Sequence, residues 1–157
     1  MTDAPIAAWR VAREDDDEAV IALGLALYDE DPSPEPITAL QFERTLAMFR
    51  REPWRGRALV VEAGGDIVGY ALLVSFWSNE LGGEVCDIDE LYVRPTHRSR
   101  GHGSALLEAL GRGSTLWPSD AVALALEVTP DNARARALYE RLGFAGKNIG
   151  LRRRIER

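Results

Sequence analysis

Residues 84–103 read EVCDIDELYVRPTHRSRGHG, and the fold turns on how this stretch is parsed. The first ten residues read as a strand, and regular alternation would place Val85, Asp87, Asp89, Leu91 and Val93 on one face. A loop of basic residues with two glycines follows, and Leu106, Leu107 and Leu110 then recur at helical spacing. The stretch is therefore strand, basic loop, helix. Glycine lets a ligand approach the backbone, the helix start leaves amides unpaired, and arginine supplies charge-assisted hydrogen bonds. Residues 98–103 are suited to a pyrophosphate. Taken alone, the same loop also reads as an ordinary strand-to-helix turn carrying solvated arginines.

Two nucleotide motifs are excluded here. A P-loop needs Lys and then Ser or Thr after its last glycine, whereas Gly103 is followed by Ser104 and Ala105. A dinucleotide fingerprint needs a third glycine where Leu106 stands.

Upstream, residues 57–63 and 67–77 are rich in β-formers and flank Gly64, Gly65 and Asp66, which predicts a hairpin joined to the 84–93 strand. Residues 8–13 predict a short first strand. Acids 14–18 then favour a helix start, and Val20, Leu23, Gly24, Leu27 and Tyr28 make its apolar stripe, closed at Asp29. Pro32, Pro34 and Pro36 impose an acidic loop. Ala39, Phe42, Leu46 and Phe49 predict a second helix over 37–51. Downstream, Gly111 and Gly113 weaken the last turn of the helix that opens at Gly101, and AVALALEV (121–128) reads as a buried eight-residue strand. Asp131 or Asn132 caps a helix striped by Ala135, Leu138, Tyr139 and Leu142, which Gly143 ends, and residues 144–155 are expected to form closing strands. The order β-α-α-β-β-β-α-β-α-β-β implies an α/β protein in the broad α+β sense: one domain over 1–157, with a mixed, mostly antiparallel sheet covered by helices.

Composition agrees with a globular chain, at 157 residues, 46% hydrophobic and 28% charged. The lone Cys86 has no disulfide partner, no secretory leader pattern opens the chain, and no apolar run nears the ~20 residues of a membrane span, so a cytoplasmic protein is expected. Net charge is −6, but residues 1–93 hold seven Arg against nineteen acids while residues 94–157 hold twelve basic residues against six acids. The first segment suits cations and the second anions. The acidic half argues against nucleic acid as a partner, despite the basic tail LRRRIER. His97 and His102 lack further ligands nearby, so no metal is expected.

The chain resembles the GNAT superfamily of acyl-CoA-dependent N-acetyltransferases. Val93, Pro95, Arg98, Gly101 and Gly103 match V-x-P followed by R-x-x-G-x-G, while Asn132, Ala135, Leu138, Tyr139, Gly143 and Phe144 match N-x-x-A-x-x-L-Y-x-x-x-G-F. The resemblance implies the GNAT-like fold and acetyl-CoA as cofactor. Arg98, Ser99, Arg100, Gly101, His102, Gly103 and Ser104 would hold its pyrophosphate, and the main chain of Leu91, Tyr92 and Val93 would pair with pantetheine as a strand does. Asn132 and Ala135 would support the cofactor arm, and Tyr139 would protonate the departing sulfur. Without the resemblance, Tyr139 reads as a core residue of its helical stripe. A homodimer is an assembly to expect, since members are often dimeric.

An ammonium cannot attack a thioester until it loses a proton, so the site needs an acceptor. Glu84, Asp87, Asp89 and Glu90 crowd the strand, and crowding raises carboxyl pKa values. Asp89 and Glu90 lie nearest Leu91, and on a regular strand they point to opposite faces, so one of the two enters the site. Glu84 and Asp87 read equally as acids that solubilise the strand. Tyr28, Glu30, Trp77, Asn79 and Glu80, with Asp89 and Glu90, form the expected aromatic and acidic acceptor lining, although Trp77 also reads as core. The expected function is acetyl transfer from acetyl-CoA to a small cationic amine, such as a polyamine, an aminoglycoside or a lysine-like amine. A protein or peptide N-acetyltransferase and a non-catalytic acyl-CoA-binding module are the alternatives.

Overall fold

The acids 14–18 and the stripe that follows them produce α1 (Asp17–Glu30), and the proline loop separates it from α2 (Ala39–Arg51). Gln41 Oε1 accepts the Thr38 N–H at 2.9 Å, which satisfies one of the amides left over at the start of α2. The two helices approach closely because residue 24 is glycine: a Cβ there would stand 2.2 Å from Phe42 Cζ. The computed structural model describes residues 8–146 and 151–156.

Among the described residues, five strands make one sheet in the order β1-β2-β3-β4-β5, comprising β1 (Trp9–Val11), β2 (Gly56–Ala63), β3 (Asp66–Ser78), β4 (Gly83–Val93) and β5 (Ala123–Leu126). The first four are antiparallel neighbours, and β5 joins β4 in parallel after a crossover through α3 (His102–Gly111). Ala63 pairs with Asp66 around Gly64 and Gly65, the expected hairpin. One face of the sheet, with Ala58, Val60, Tyr70, Leu72 and Tyr92, packs against Val20 and Leu23 of α1 and Phe42, Leu46 and Phe49 of α2. The other face buries Leu59, Ala71, Leu73, Cys86 and Ile88, and α3 buries Leu106, Leu107 and Leu110. Each such leucine removed from water contributes about 1.5–3 kcal/mol. Arg10 of β1 ties the first turn to β2, donating to Asp16 at 2.7 Å and to Glu62 at 2.6 Å. Its guanidinium holds the buried Asp16 carboxyl below the ordinary range.

Several expectations change. The last turn of α3 is closed despite its glycines: Gly113, at φ +80°, donates to Leu110 O and Ser114 donates to Ala109 O, a Schellman closure that a left-handed residue makes possible. The eight-residue strand at 121–128 shrinks to four half-buried residues. Pairing of β4 with β5 stops at Ile88 and Leu126, where β4 acquires a bulge. The even alternation expected of β4 also fails there. Leu72 pairs with Glu90 and Leu73 with Ile88, so Asp89 is an extra residue. Asp87, Glu90 and Tyr92 consequently serve the α1–α2 face, in place of the regular set Asp87, Asp89 and Leu91.

Two compact units divide the chain, Met1–Glu127 and Val128–Arg157. In the second, α4 (Ala133–Arg141) is capped by Asn132, whose Oδ1 accepts the Ala135 N–H at 3.1 Å. Gly143, at φ +91°, donates to Glu140 O, Phe144 donates to Tyr139 O, and the Tyr139 and Phe144 rings meet edge-on at 6.0 Å. The L-Y-x-x-x-G-F run is thus a second Schellman closure with its apolar contact. The closing strands expected over 144–155 do not form at residues 144–146 or 151–156, and residues 147–150 lie outside the described residues.

Candidate active site

The bulge brings Glu90 beneath the C-terminal turns of α1. Tyr28 donates its hydroxyl to Glu90 Oε2 at 2.8 Å, and Tyr70 of β3 donates to Oε1 at 2.6 Å. Burial is the largest influence on this half-buried carboxyl and pushes its pKa up; the two hydroxyls oppose that shift and the charge of Asp89 adds to it. Burial, then the adjacent Glu90 charge, drives the Tyr70 hydroxyl far above its ordinary value, so Tyr70 stays a donor. Tyr70 was not among the candidates read from sequence. The available signal was one hydroxyl inside the aliphatic run of β3, since a buried tyrosine seeks a polar partner. Asp89 itself is exposed. Asp87 is half-buried, and its carboxyl is raised by burial and then by Asp89 and Glu127. Two residues at a bulge oppose one partner, so alternation no longer sends Asp89 and Glu90 to opposite faces.

Beside this centre lies a second cluster. Glu30, the last residue of α1, accepts the Tyr92 hydroxyl at 3.0 Å and an Arg98 guanidinium N–H at 2.6 Å. Arg98 also donates from Nε to Val93 O at 2.8 Å, and its guanidinium carbon stands 5.2 Å from the Tyr92 ring centroid. The Arg98 hydrogen bond is the largest influence holding Glu30 below the usual carboxylate range.

From Val93 the chain makes a single 3-10 turn, Pro95–His97, and reaches Ser99 (φ +62°) and Gly101 (φ +80°). Left-handed backbone at a non-glycine residue costs energy, and it falls within the loop expected to bind phosphate. Among the described residues, no atom beyond its own chain neighbours lies within 4 Å of a Cβ built on Gly101, so its backbone is approachable. Gly103 rests against Leu91, with 3.8 Å from its would-be Cβ to Leu91 Cδ2, which brings the first turn of α3 beside the end of β4. His102 O accepts the Trp9 indole N–H at 2.8 Å, while His102 Nε2 is buried without a hydrogen-bond partner among the described residues. Burial lowers the pKa of this imidazole. Arg100 and Ser99 are exposed, and Ser104 is half-buried in the first turn of α3. Beyond Ile88, β5 no longer covers β4, which leaves the segment of Leu91, Tyr92 and Val93 beside a strand edge; one acceptor there, Val93 O, already serves Arg98.

The structure does not bring every candidate to this place. Trp77 pairs with Glu84, whereas Glu90 pairs with Leu72 five residues back along β3, a rise of ~17 Å. Trp77 is 69% exposed, and Asn79 and Glu80 are exposed beyond it, so these three lie apart from Tyr28 and Glu90. Glu84 accepts the Trp117 indole N–H at 2.7 Å and the Ser119 hydroxyl, anchoring the segment after α3. Asn132, Ala135 and Tyr139 belong to the second unit, where desolvation raises the Tyr139 hydroxyl. Among the described residues no group of three or more His, Cys, Asp or Glu could hold a metal ion, and no helix is long and apolar enough to cross a membrane.

A mixed sheet whose fourth strand is bulged at Asp89 and runs into a basic glycine loop and a helix is an α/β architecture. Residues 9–144 match the Acetyltransferase (GNAT) family, and the chain belongs to it. A mycothiol acetyltransferase of Amycolatopsis mediterranei is 33% identical over 142 residues, covering 88% of this chain and 41% of the relative. A streptothricin acetyltransferase of Streptomyces lavendulae is 36% identical over 94 residues, 55% of this chain and 43% of the relative. The chain therefore spans less than half the length of either. The crystal structure of an integron cassette protein from the mobile metagenome of Cole Harbour Salt Marsh superposes with a TM-score of 0.74 at 25% identity, covering 94% of this chain and 89% of that one.

Proposed function

We propose that the chain transfers the acetyl group of acetyl-CoA to a primary amine of a small cationic acceptor, by direct attack in a ternary complex. The observation that carries this reading is the Glu90 carboxylate, half-buried and held by two tyrosines, on the same strand that leads into the phosphate loop. The residues present fit the cofactor. The approachable Gly101 backbone, the start of α3 and the exposed Arg100 suit a pyrophosphate, and the uncovered end of β4 suits an extended amide chain. When bound, acetyl-CoA supplies the thioester carbonyl that the amine attacks.

Glu90 is the proton acceptor. Its burial raises its proton affinity toward working pH, and Tyr28 and Tyr70 fix the carboxylate plane by donating to both oxygens. Asp87 and Asp89 supply a negative surrounding for an ammonium. Tyr139 is the proton donor for the leaving sulfur, a role supported by the motif from Asn132 to Phe144. The mycothiol and streptothricin acetyltransferase relatives favour a small acceptor over a protein.

Release of the CoA thiol, followed with diamines, polyamines, aminoglycosides and peptides, tests the proposal. Turnover of at least one small amine is expected, with Tyr139→Phe lowering kcat by about 100-fold and sparing the KM for acetyl-CoA. Turnover of peptides alone would move the acceptor to proteins. CoA binding without turnover, unaffected by Asp89→Asn, Glu90→Gln and Tyr139→Phe, would replace the enzyme with a binding module.

A further inference from the structure

Glu30 was expected to face the amine, and Arg98 to face the phosphates. The geometry joins them instead. Arg98 is held at three points: its Nε on Val93 O, its terminal nitrogen on Glu30, and its guanidinium over the Tyr92 ring. Glu30 in turn accepts the Tyr92 hydroxyl. These contacts bind the last residue of α1 to the end of β4 and to the first residue of the loop that carries Ser99 and Gly101 in left-handed conformation. A loop with such backbone needs its surroundings to hold it, and this strap is where its entry is fixed.

We propose that Glu30 is a positioning residue for the cofactor loop, acting through Arg98, and that it does not recognise the acceptor amine. The proposal rests on the acetyl-CoA reading above. It also implies that α1, which carries Tyr28 two residues earlier, is anchored to the phosphate side as well as to Glu90. Both partners are partly exposed, so the ion pair is expected to be modest.

Calorimetry with CoA on the whole chain, together with initial rates, tests this. Glu30→Gln should raise the CoA Kd and the acetyl-CoA KM about fivefold while leaving the amine KM and the pH profile in place. Arg98→Ala should raise the CoA Kd at least as far, and adding Glu30→Gln to it should weaken binding by less than about twofold, because the partner is already gone. An unchanged CoA Kd with a raised amine KM would overturn the proposal and return Glu30 to the acceptor site. Independent, multiplicative effects of the two substitutions would also overturn it. Failure of the unaltered protein to bind CoA at all would instead overturn the proposed function on which the strap rests.

Discussion

Two phenolic hydroxyls converge on the Glu90 carboxylate, yet burial still raises its pKa, so the group is held in a state that costs the fold something. Its native pKa lies above the ordinary value, so the folded chain binds the proton more tightly than the unfolded chain does. The stabilising contribution is therefore full below the ordinary carboxylate pKa and is lost as pH rises through it to the raised native value. Glu90→Gln removes that dependence. Thermal melts from pH 4 to 8 should show the variant gaining stability relative to the parent as pH rises, while kcat/KM at pH 8 drops about 100-fold or more. In the parent, the acidic limb of the pH–rate profile should lie above the ordinary carboxylate range. A variant that is both less stable at pH 8 and fully active would remove Glu90 from the base role.

At the scale of elements, the bulge at Asp89 decides where β4 stops being an ordinary sheet strand. Pairing with β5 ends at Ile88, one residue before the insertion, and the remaining strand is left beside an uncovered edge. Deleting Asp89 restores regular alternation after Ile88 and keeps Glu90 on the α1–α2 face. The deletion variant should unfold cooperatively and retain its far-UV spectrum, but its CoA affinity should fall about tenfold or more as β4 and β5 stay together. Unchanged affinity would show that the bulge is not what parts the strands. The helices carry a related lesson. Gly113 and Gly143 both close a helix through the same pair of backbone bonds, so the Gly-Phe ending of the second motif is first of all a stop signal with Tyr139 as its packing partner.

For the molecule as a whole, the charge asymmetry is the property that reaches furthest. Residues 1–93 are strongly acidic and residues 94–157 basic, so the proposed cationic amine and anionic cofactor would each meet an attractive segment. Raising salt from 0.05 to 0.5 M should raise both KM values by about threefold, and salt-independent values would show that contacts, not fields, set affinity. Much of this molecule was legible in the chain, because hydrophobic period, prolines and glycines act locally. The hairpin at Gly64–Gly65, the stripes of α1 and α2 and the basic loop before α3 all follow from spacing. The site was legible only in part. Glu90 and Tyr28 stood among the candidates and Tyr70 did not, since the register that sets it two positions from Glu90's partner depends on one inserted residue that a regular-strand reading of residues 84–93 does not allow for. Trp77 was misplaced for the opposite reason: its chemistry suited an amine, and the distance along β3 is invisible until strands are paired.

The same insertion bears on any attempt to redirect the protein toward another acceptor. Positions 87, 90 and 92 look onto α1 and α2, spaced by three and then two, whereas an evenly spaced library at 87, 89 and 91 would include one residue of that face and two that do not share it. With Glu90 kept as the proposed base and Tyr92 kept as the partner of Glu30 and Arg98, Asp87 is the position of this uneven set left to vary.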